Sequence, residues 1–302
     1  MRRRRRLLLP LAGVIAIGLV ALLAPLLTPH DPVRMDVAPR LAQPSLAHPL
    51  GQDEYGRDVL ARLMWGARVS LTVAIVSALI AGVAGVAIGL IGGYLGGLAE
   101  LFTVRLVDVV LSFPPIVLAL LVVTLLGPGA ATLTLVLSVL YVPGFARVTY
   151  GEALTARTLD YVEAARAAGA TTGRILLRTI LPNVAGPLLV QFSLTVASAI
   201  VIESGLSFLG LGVVPPVPSW GLMIRGARGT MEHNWLLLVW PCLALVAAIL
   251  TVNRLCDALR DVFDPRAYGY QSAIASFRDA TPRTRRVAAW QRLRTWSPSA
   301  AA

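Results

Sequence analysis

The sequence predicts an all-α, polytopic membrane protein with six transmembrane helices. Hydrophobic side chains make up 56% of the 302 residues and charged side chains only 14%, which is not the composition of a soluble globular domain. Six segments are apolar over the roughly 20 residues that a helix needs to cross the hydrocarbon core. All 27 basic residues are arginines, and they lie beside these segments. Membrane topology therefore accounts for the net charge of +11, and nucleic-acid binding is not needed to explain it.

The predicted spans cover residues 7–27, 69–93, 106–126, 130–146, 184–209 and 235–252. The first and last lack acidic or basic residues, and the other four each contain a proline, a glycine or an acidic residue. Such breaks are tolerated where neighbouring helices satisfy the freed backbone groups. The start MRRRRR and the first apolar run also fit a signal peptide. We favour an uncleaved anchor, because the run is long enough to span and its end, ALLAPLL, offers no A-x-A cleavage site.

The arginines also predict the orientation of the spans. An N-terminus inside the cell places 20 arginines on the cytoplasmic side and seven outside, as the positive-inside rule requires. The expected regions are a cytoplasmic N-terminus (1–6), a first transmembrane anchor (7–27), an extracytoplasmic loop (28–68), a core of five transmembrane helices (69–253) with a cytoplasmic loop (147–183), and a cytoplasmic tail (254–302). Both termini are therefore expected in the cytoplasm.

Four glycines recur every four residues towards the end of the second span: Gly85, Gly89, Gly93 and Gly97. This spacing places them along one helix face, where the missing side chains let another helix approach closely. An alternative is that GGYLGG, residues 92–97, ends the span in a turn. The two interpretations are compatible, and the sequence leaves both open.

The chain lacks the residues for several kinds of chemistry. Without lysine it has no phosphate-binding P-loop. His30, His48 and His233 fall in predicted outside loops, lack the spacing of a metalloprotease motif, and are interpreted as separate surface residues. Cys242 and Cys256 match no zinc or redox motif and are expected to be small buried side chains. We therefore predict no catalytic site and no metal site.

Two acidic residues fall inside predicted spans, where an ionisable group is costly unless it is paired or faces water. Asp108 lies three residues after Arg105 near the inner end of its span, which favours an interfacial ion pair. Glu203, beside Ser204, lies near the outer end of the fifth span and is a candidate for a polar translocation path or for the cap of a broken helix. Acidic groups at opposite faces of the membrane make a poor proton relay, which weakens the interpretation of the chain as a secondary transporter.

The polar stretch 161–183 interrupts the apolar segments on the predicted cytoplasmic side. Within DYVEAARAA, residues 160–168, Asp160 suits a helix N-cap and Glu163 the third helical position of a capping box. The alanines favour a helix and leave a smooth surface. Gly169 then suits the left-handed position that follows a helix.

A second amphipathic run, RILLRTILPN, follows at residues 174–183, with Arg174 and Arg178 on one face and Pro182 before the next span. The two runs together predict a compact helical elbow on the cytoplasmic side. Its smooth alanine surface indicates a docking site for another protein.

At these residues the chain resembles the permease subunits of binding-protein-dependent ABC importers, whose cytoplasmic EAA loop contains EAA, a glycine four residues later, and Leu-Pro further along. The matching residues are Glu163, Ala164, Ala165, Gly169, Leu181 and Pro182. The resemblance implies a type I ABC importer permease fold. It also implies that the elbow is a coupling helix, which fits into a cleft on a separate ATPase subunit.

Three further stretches resemble the C-type subunit of the dipeptide, oligopeptide and nickel branch of that family. They are HPLGQDEYGRDVLARLMWGARVSL at 48–71, ESGLSFLGLG at 203–212 and LRDVFDPR at 259–266. The resemblance covers residues 7–266, and the tail beyond is assigned no role.

The resemblance implies a subunit of a bacterial cytoplasmic-membrane importer of di- or oligopeptides, with nickel, glutathione or another small solute as alternatives. Expected partners are a homologous B-type permease subunit, two ABC ATPase subunits, an extracytoplasmic substrate-binding protein and membrane lipid. The ATPases would bind ATP and Mg²⁺, and the chain itself is expected to have no cofactor and no catalytic activity. A stand-alone secondary transporter and a membrane-embedded enzyme fit less well, because intramembrane charge is scarce and the histidines form no catalytic motif.

Overall fold

The computed structural model describes residues 2–35 and 40–263. Its helices are α1 (Arg2–Leu27), α2 (Val59–Leu95), α3 (Gly97–Leu111), α4 (Pro115–Leu126), α5 (Ala130–Ala156), α6 (Asp160–Ala167), α7 (Thr172–Arg174), α8 (Leu181–Asn183), α9 (Ala185–Leu209), α10 (Trp220–Arg228) and α11 (Leu236–Phe263). A π-helical segment, Ile175–Ile180, joins α7 to α8. Within these ranges the β-type pairing is one isolated bridge, between Gln52 and Asp58. The predicted all-α class is confirmed. Most of the predicted tail lies outside the described residues.

Five helices are long and apolar enough to cross a membrane: Leu7–Leu27 within α1, and α2, α5, α9 and α11. The pair α3 and α4 passes the same test when it is taken as one span, although the two helices are bent by 83° at a short break. With this pair counted once, the described part of the chain contains six candidate spans, the number predicted.

Some helices are longer than the predicted spans. α2 begins at Val59, whereas the sequence predicted an extracytoplasmic loop as far as residue 68. Its N-cap is Asp58, whose side chain accepts a hydrogen bond from the Ala61 N–H at 2.7 Å. Likewise α5 continues to Ala156 instead of ending at residue 146. Hydropathy identifies only the apolar section of a helix, because its polar ends are set by caps and packing.

The third span is not the single helix predicted at residues 106–126. α3 already begins at Gly97 and ends at Leu111, and α4 begins at Pro115 after the bend. Pro114 and Pro115 explain the break, since proline has no N–H to donate and keeps the preceding residue out of the helical conformation. Pro115 itself fits the first turn of α4, where that N–H is not required.

α2 packs closely along α5, and three of the four regularly spaced glycines lie in the contact. A methyl group at Gly85, Gly89 or Gly93 would lie within 2.6 Å of a backbone carbonyl oxygen of α5. Gly97 does not share this face: α2 has ended before it, its φ is +58°, and a methyl group there would meet nothing within 4 Å. The first three glycines therefore serve close helix packing, and the fourth lies in the turn after α2.

Three clusters of buried side chains lie between the described helices. One consists of only Val59, Ala227 and Leu237, and the other two are a larger and a smaller cluster. The larger contains residues of α1, α2, α4, α5, α9, α10 and α11. The smaller lies beneath residues 160–184 and consists of Leu90, Ala153, Ala156, Val162, Ile175, Ile180 and Val184. Of the two cysteines, Cys256 is buried, as predicted, and Cys242 is half-buried.

Candidate functional site

The polar elbow predicted from the sequence forms a folded unit at one end of the helices. We define the elbow as residues 160–183, which comprise α6, a turn, α7, the π-helical segment and α8. The residues of the EAA pattern all lie on it. Glu163, Ala164, Gly169 and Pro182 are exposed, and Ala165 and Leu181 are half-buried.

The start of α6 differs from the predicted capping box. The helix begins at Asp160, its N-cap is Leu159, and that position makes no side-chain capping hydrogen bond. Val162 explains this register, because it is fully buried in the smaller cluster. Asp160 and Glu163 both fall in the first turn instead, where negative charge complements the partial positive charge of the helix N-terminus.

The end of α6 forms a Schellman motif. Gly169 has a φ of +77°, the left-handed conformation predicted for it. Its N–H donates to the Arg166 carbonyl oxygen at 3.0 Å, and the Ala170 N–H donates to the Ala165 carbonyl oxygen at 3.1 Å. This pair of hydrogen bonds satisfies carbonyl groups that the end of a helix would otherwise leave unpaired. The motif turns the chain sharply from α6 towards α7.

Buried side chains attach the elbow to the ends of α2 and α5. Val162, Ile175 and Ile180 point inwards and pack with Leu90 of α2 and with alanines of α5. Ile175 and Ile180 are five residues apart, and the wider π-helical turn lets both side chains face the cluster. The elbow is therefore packed as one body with two membrane-spanning helices.

Polar contacts reinforce this attachment. An Arg166 Nη2 donates to the Tyr94 hydroxyl of α2 at 3.3 Å, and the guanidinium carbon lies 5.7 Å from the centre of the Tyr94 ring. The hydrogen bond to Tyr94 raises the pKa of Arg166 above its usual value. Nearby, the Tyr150 hydroxyl of α5 donates to Glu100 of α3. These contacts link α6 to α2, and α5 to α3.

Glu203 and Ser204 lie far from the elbow, about 27 Å along α9 from its first residue at 1.5 Å per residue. The Glu203 carboxylate is fully buried and accepts hydrogen bonds from Ser207 at 2.7 Å and from Ser204 at 3.3 Å. Ser70 and Ser219 also contact it. α9 continues through this position without a break. Glu203 is therefore not the cap of a broken helix. Its carboxylate faces serines of the same chain in this structure, and a translocation path at Glu203 and Ser204 stays a prediction.

Asp108 has a different ion-pair partner from the one predicted. Its Oδ1 lies 3.5 Å from an Arg147 Nη2, with both side chains about half exposed. The sequence favoured Arg105 on the same helix. Packing of α3 against α5 brings Arg147 to Asp108, and such a contact cannot be read from spacing along one helix.

A charged network organises the segment before α2, at the end away from the elbow. Asp53 accepts hydrogen bonds from the N–H groups of Tyr55 and Arg57 and from the Arg57 Nε, the last at 2.7 Å. Arg62 places its Nε 3.4 Å from Asp53 and donates through Nη1 to the Pro32 carbonyl oxygen at 2.9 Å. This segment borders a cavity of about 730 Å³ that α10 closes on the other side.

The sequence analysis missed a contact between two histidines at the same end. The rings of His30 and His48 have centres 4.7 Å apart, and His48 Nδ1 lies 2.8 Å from Asp58 Oδ2. His233 is exposed, as expected of a separate surface residue. The spacing of His30 and His48 along the chain does not predict their contact, because the fold of the loop between them brings the two rings together.

Apolar spans joined by an exposed polar elbow define a multi-pass membrane protein. Residues 85–268 match the family model for the binding-protein-dependent transport system inner membrane component, and the chain belongs to this family. The resemblance inferred from the EAA loop is thus confirmed.

Relatives match along most of their length. The dipeptide transport system permease protein DppC of Haemophilus influenzae is 35% identical over 272 residues, which cover 88% of this chain and 92% of that protein. The di/tripeptide permease DppC of Pseudomonas aeruginosa is 38% identical, with 82% of this chain and 83% of that protein covered. The glutathione permease GsiD of Pectobacterium atrosepticum is also 38% identical, with 84% and 86% covered.

A solved structure has a similar fold. It is a chain of the methionine ABC transporter MetNI in an inward-facing conformation, with a TM-score of 0.55 and 21% identity, covering 67% of this chain and 96% of that one. At this identity the similarity concerns the fold alone, and it agrees with the permease fold implied by the EAA loop.

Proposed function

We propose that this chain is the C-type transmembrane subunit of an ATP-driven peptide importer. A homologous B-type subunit completes the pathway, two ABC ATPases dock on the cytoplasmic face, and a binding protein delivers substrate from outside. The observation that carries this proposal is the elbow, whose exposed Glu163 and Ala164 lie on a short helix joined to α2 and α5 by a buried cluster. The chain itself performs no catalysis, and the ATPases hold ATP and Mg²⁺.

The packing of the elbow supports a mechanical role. A force on α6 acts on Val162, and Val162 packs in the same cluster as Leu90 of α2 and Ala153 of α5. Closure of the ATPases around ATP therefore displaces the ends of two spans together with α6. Such a displacement is a rigid-body movement of packed helices, which switches the pathway between inward and outward access.

The contacts at the two ends of α2 support an orientation with the N-terminus in the cytoplasm. The Trp65 Nε1 near the start of α2 donates to Thr28 just after α1, at 3.2 Å, and Tyr94 at the end of α2 contacts Arg166 of the elbow. The start of α1 and the elbow are consequently on the same side of the membrane. Arg2–Arg6 and the arginines of the elbow then both face the cytoplasm, as the positive-inside rule favours.

Peptides are the proposed substrate class. Dipeptide and di/tripeptide permeases are among the relatives, with at least 82% of this chain covered. A second candidate is glutathione, itself a tripeptide, because the permease GsiD is 38% identical.

Copurification tests the proposed ATPase docking. The chain is co-expressed with its B-type partner and ATPases, and the complex is isolated in detergent through a tag on the chain. We expect the ATPases to copurify with the wild type and to be lost with Ala164→Glu, because glutamate keeps the helix but places a charged side chain on the smooth exposed face. Ala47→Glu is the matched control, an exposed alanine at the opposite end.

Retention of the B-type partner by each variant shows that the membrane part is folded. The proposal fails if the wild type captures both permease chains but no ATPase, and ATP-independent substrate flux in proteoliposomes would then support a secondary transporter. If Ala47→Glu and Ala164→Glu lose the ATPases equally, the elbow is not the docking site.

A further inference from the structure

Three segments of the chain place metal-ligating side chains together at the end away from the elbow. His30 follows α1, His48 lies in the loop before α2, and Asp58 is the N-cap of α2. One ligand atom from each of the three lies within 4.8 Å of the other two. The transport mechanism described above uses none of these residues.

We propose that His30, His48 and Asp58 bind a divalent transition-metal ion, with Zn²⁺ as the expected ion. Two imidazoles and one carboxylate are a common ligand set for zinc, and water occupies the fourth position when the protein supplies three ligands. Hard cations such as Ca²⁺ and Mg²⁺ prefer oxygen ligands throughout and fit this set poorly. The ion is a resident of the loop and is separate from the transported substrate.

The distances are close to those of a metal site. Two imidazoles bound to one tetrahedral Zn²⁺, with Zn–N bonds of about 2.0–2.1 Å, have ring centres roughly 5 Å apart. The His30 and His48 rings have centres 4.7 Å apart and planes tilted by 39°. Both side chains are half-buried, and the ligand atoms of the three residues lie within 4.8 Å of one another.

Asp58 is the preorganised member of the site. The residue is buried, and its Oδ1 is held by the N–H of Ala61 at 2.7 Å. Its Oδ2 is thereby directed towards His48 Nδ1, at 2.8 Å. The N-terminus of α2 carries partial positive charge, which opposes a cation, and the negative charge of the Asp58 carboxylate offsets this effect.

A bound ion would join three segments that are distant in the sequence. His30 lies shortly after the end of α1, and Asp58 is the N-cap of α2, so the ion would join the start of the second span to the end of the first. It would also fix the loop that carries His48, next to the charged network around Asp53.

Zinc binding to the purified full chain tests this proposal. The chain contains three histidines in total, so a tag without histidine leaves few competing sites. Zn²⁺ is titrated in detergent against a chromophoric chelator. We expect one tight equivalent for the wild type and an affinity at least about 100-fold weaker for His30→Gln and for His48→Gln, beyond the loss typical of a second-shell partner. His233→Gln is the matched control and should bind as the wild type does.

Two measurements separate ligand loss from misfolding. Asp58→Asn keeps an oxygen that can cap α2 but removes the carboxylate ligand, and should weaken Zn²⁺ binding while the size-exclusion profile stays unchanged. Co²⁺ bound to the wild type should show the visible absorption of nitrogen and oxygen ligation. The proposal is overturned if the wild type binds no stoichiometric Zn²⁺, if His30→Gln/His48→Gln binds as tightly as the wild type, or if Co²⁺ shows thiolate charge transfer from a cysteine.

Discussion

Gly169 shows how one backbone conformation shapes the elbow. Its φ of +77° lies in the left-handed region, and a methyl group added there would meet nothing within 4 Å. Space is therefore not the reason for glycine at this position. An L-residue with a side chain is strained in the left-handed region by the contact of its own Cβ with the backbone. The Schellman hydrogen bonds of α6 depend on this conformation.

Alanine at two glycines of the elbow separates these effects. We expect Gly169→Ala to destabilise the elbow by about 1–2 kcal/mol, because alanine must adopt the left-handed conformation. Gly173→Ala is the matched control: its surroundings are equally open and it lies in helical α7, so it should be neutral or stabilising by up to about 1 kcal/mol. Amide hydrogen exchange over residues 160–183 measures both. Equal protection in the two variants would contradict the strain argument.

Asp58 is a residue with two roles in the structure. It caps α2 through one carboxylate oxygen and contacts His48 through the other. The first role depends on neighbours within three residues, which the sequence can indicate. The second depends on the loop that brings His48 back to the helix.

At the scale of elements, three glycines without side chains let α2 and α5 approach each other closely. Gly85, Gly89 and Gly93 let α2 lie against backbone atoms of α5. In a membrane, where lipid is as apolar as the side chains, close van der Waals packing of this kind drives helix association. Because α5 leads into α6, this contact also supports the elbow.

Substitutions along α2 test that contact. A Cβ at Gly89 would clash with the Ala146 carbonyl oxygen at 2.5 Å. A Cβ at Gly82 would lie 3.5 Å from the Phe145 ring, an ordinary contact distance. We expect Gly89→Ala to cost at least about 1–3 kcal/mol through overpacking. Gly82→Ala makes an ordinary van der Waals contact in the same helix and should be tolerated. The fraction of monodisperse protein after heating in detergent reports the difference, and equal loss in both variants would argue against a close α2–α5 contact.

At the scale of the whole molecule, docking and coupling involve different faces of α6. Glu163 and Ala164 are exposed, whereas Val162 is fully buried against the cluster shared with α2 and α5. A change on the exposed face should prevent ATPase binding. A change on the buried face should leave binding intact and weaken the transmission of movement to the spans.

Val162→Ala tests transmission. Removing two buried methyl groups costs about 2 kcal/mol by loss of burial and creation of a cavity. We expect the ATPases still to copurify, while substrate transported per ATP hydrolysed falls in proteoliposomes. Val262→Ala is the matched control, an exposed valine near the end of α11, and should behave as the wild type. Loss of ATPase binding with Val162→Ala, or unchanged transport per ATP, would refute separate docking and transmission faces.

The sequence by itself determined which segments lie in the membrane and which lie in water, and it determined the local conformation of the elbow. Apolar length indicated six spans, because crossing hydrocarbon requires a minimum run of apolar residues. The position of Gly169 after α6 followed from the alanines before it and from the rarity of side chains in the left-handed region. Pro114 and Pro115 break the third span for a reason that is equally local. These features depend on residues that are close along the chain.

Only the tertiary structure decided which distant residues meet. It enclosed Glu203 among serines, paired Asp108 with Arg147, excluded Gly97 from the helix contact, and joined His30 to His48. The register of α6 likewise followed from the burial of Val162 and overrode the capping preference of Asp160. Hydropathy and spacing report the environment that a residue requires, and they contain no information on the partner that supplies it, because that partner is set by how the helices and loops pack.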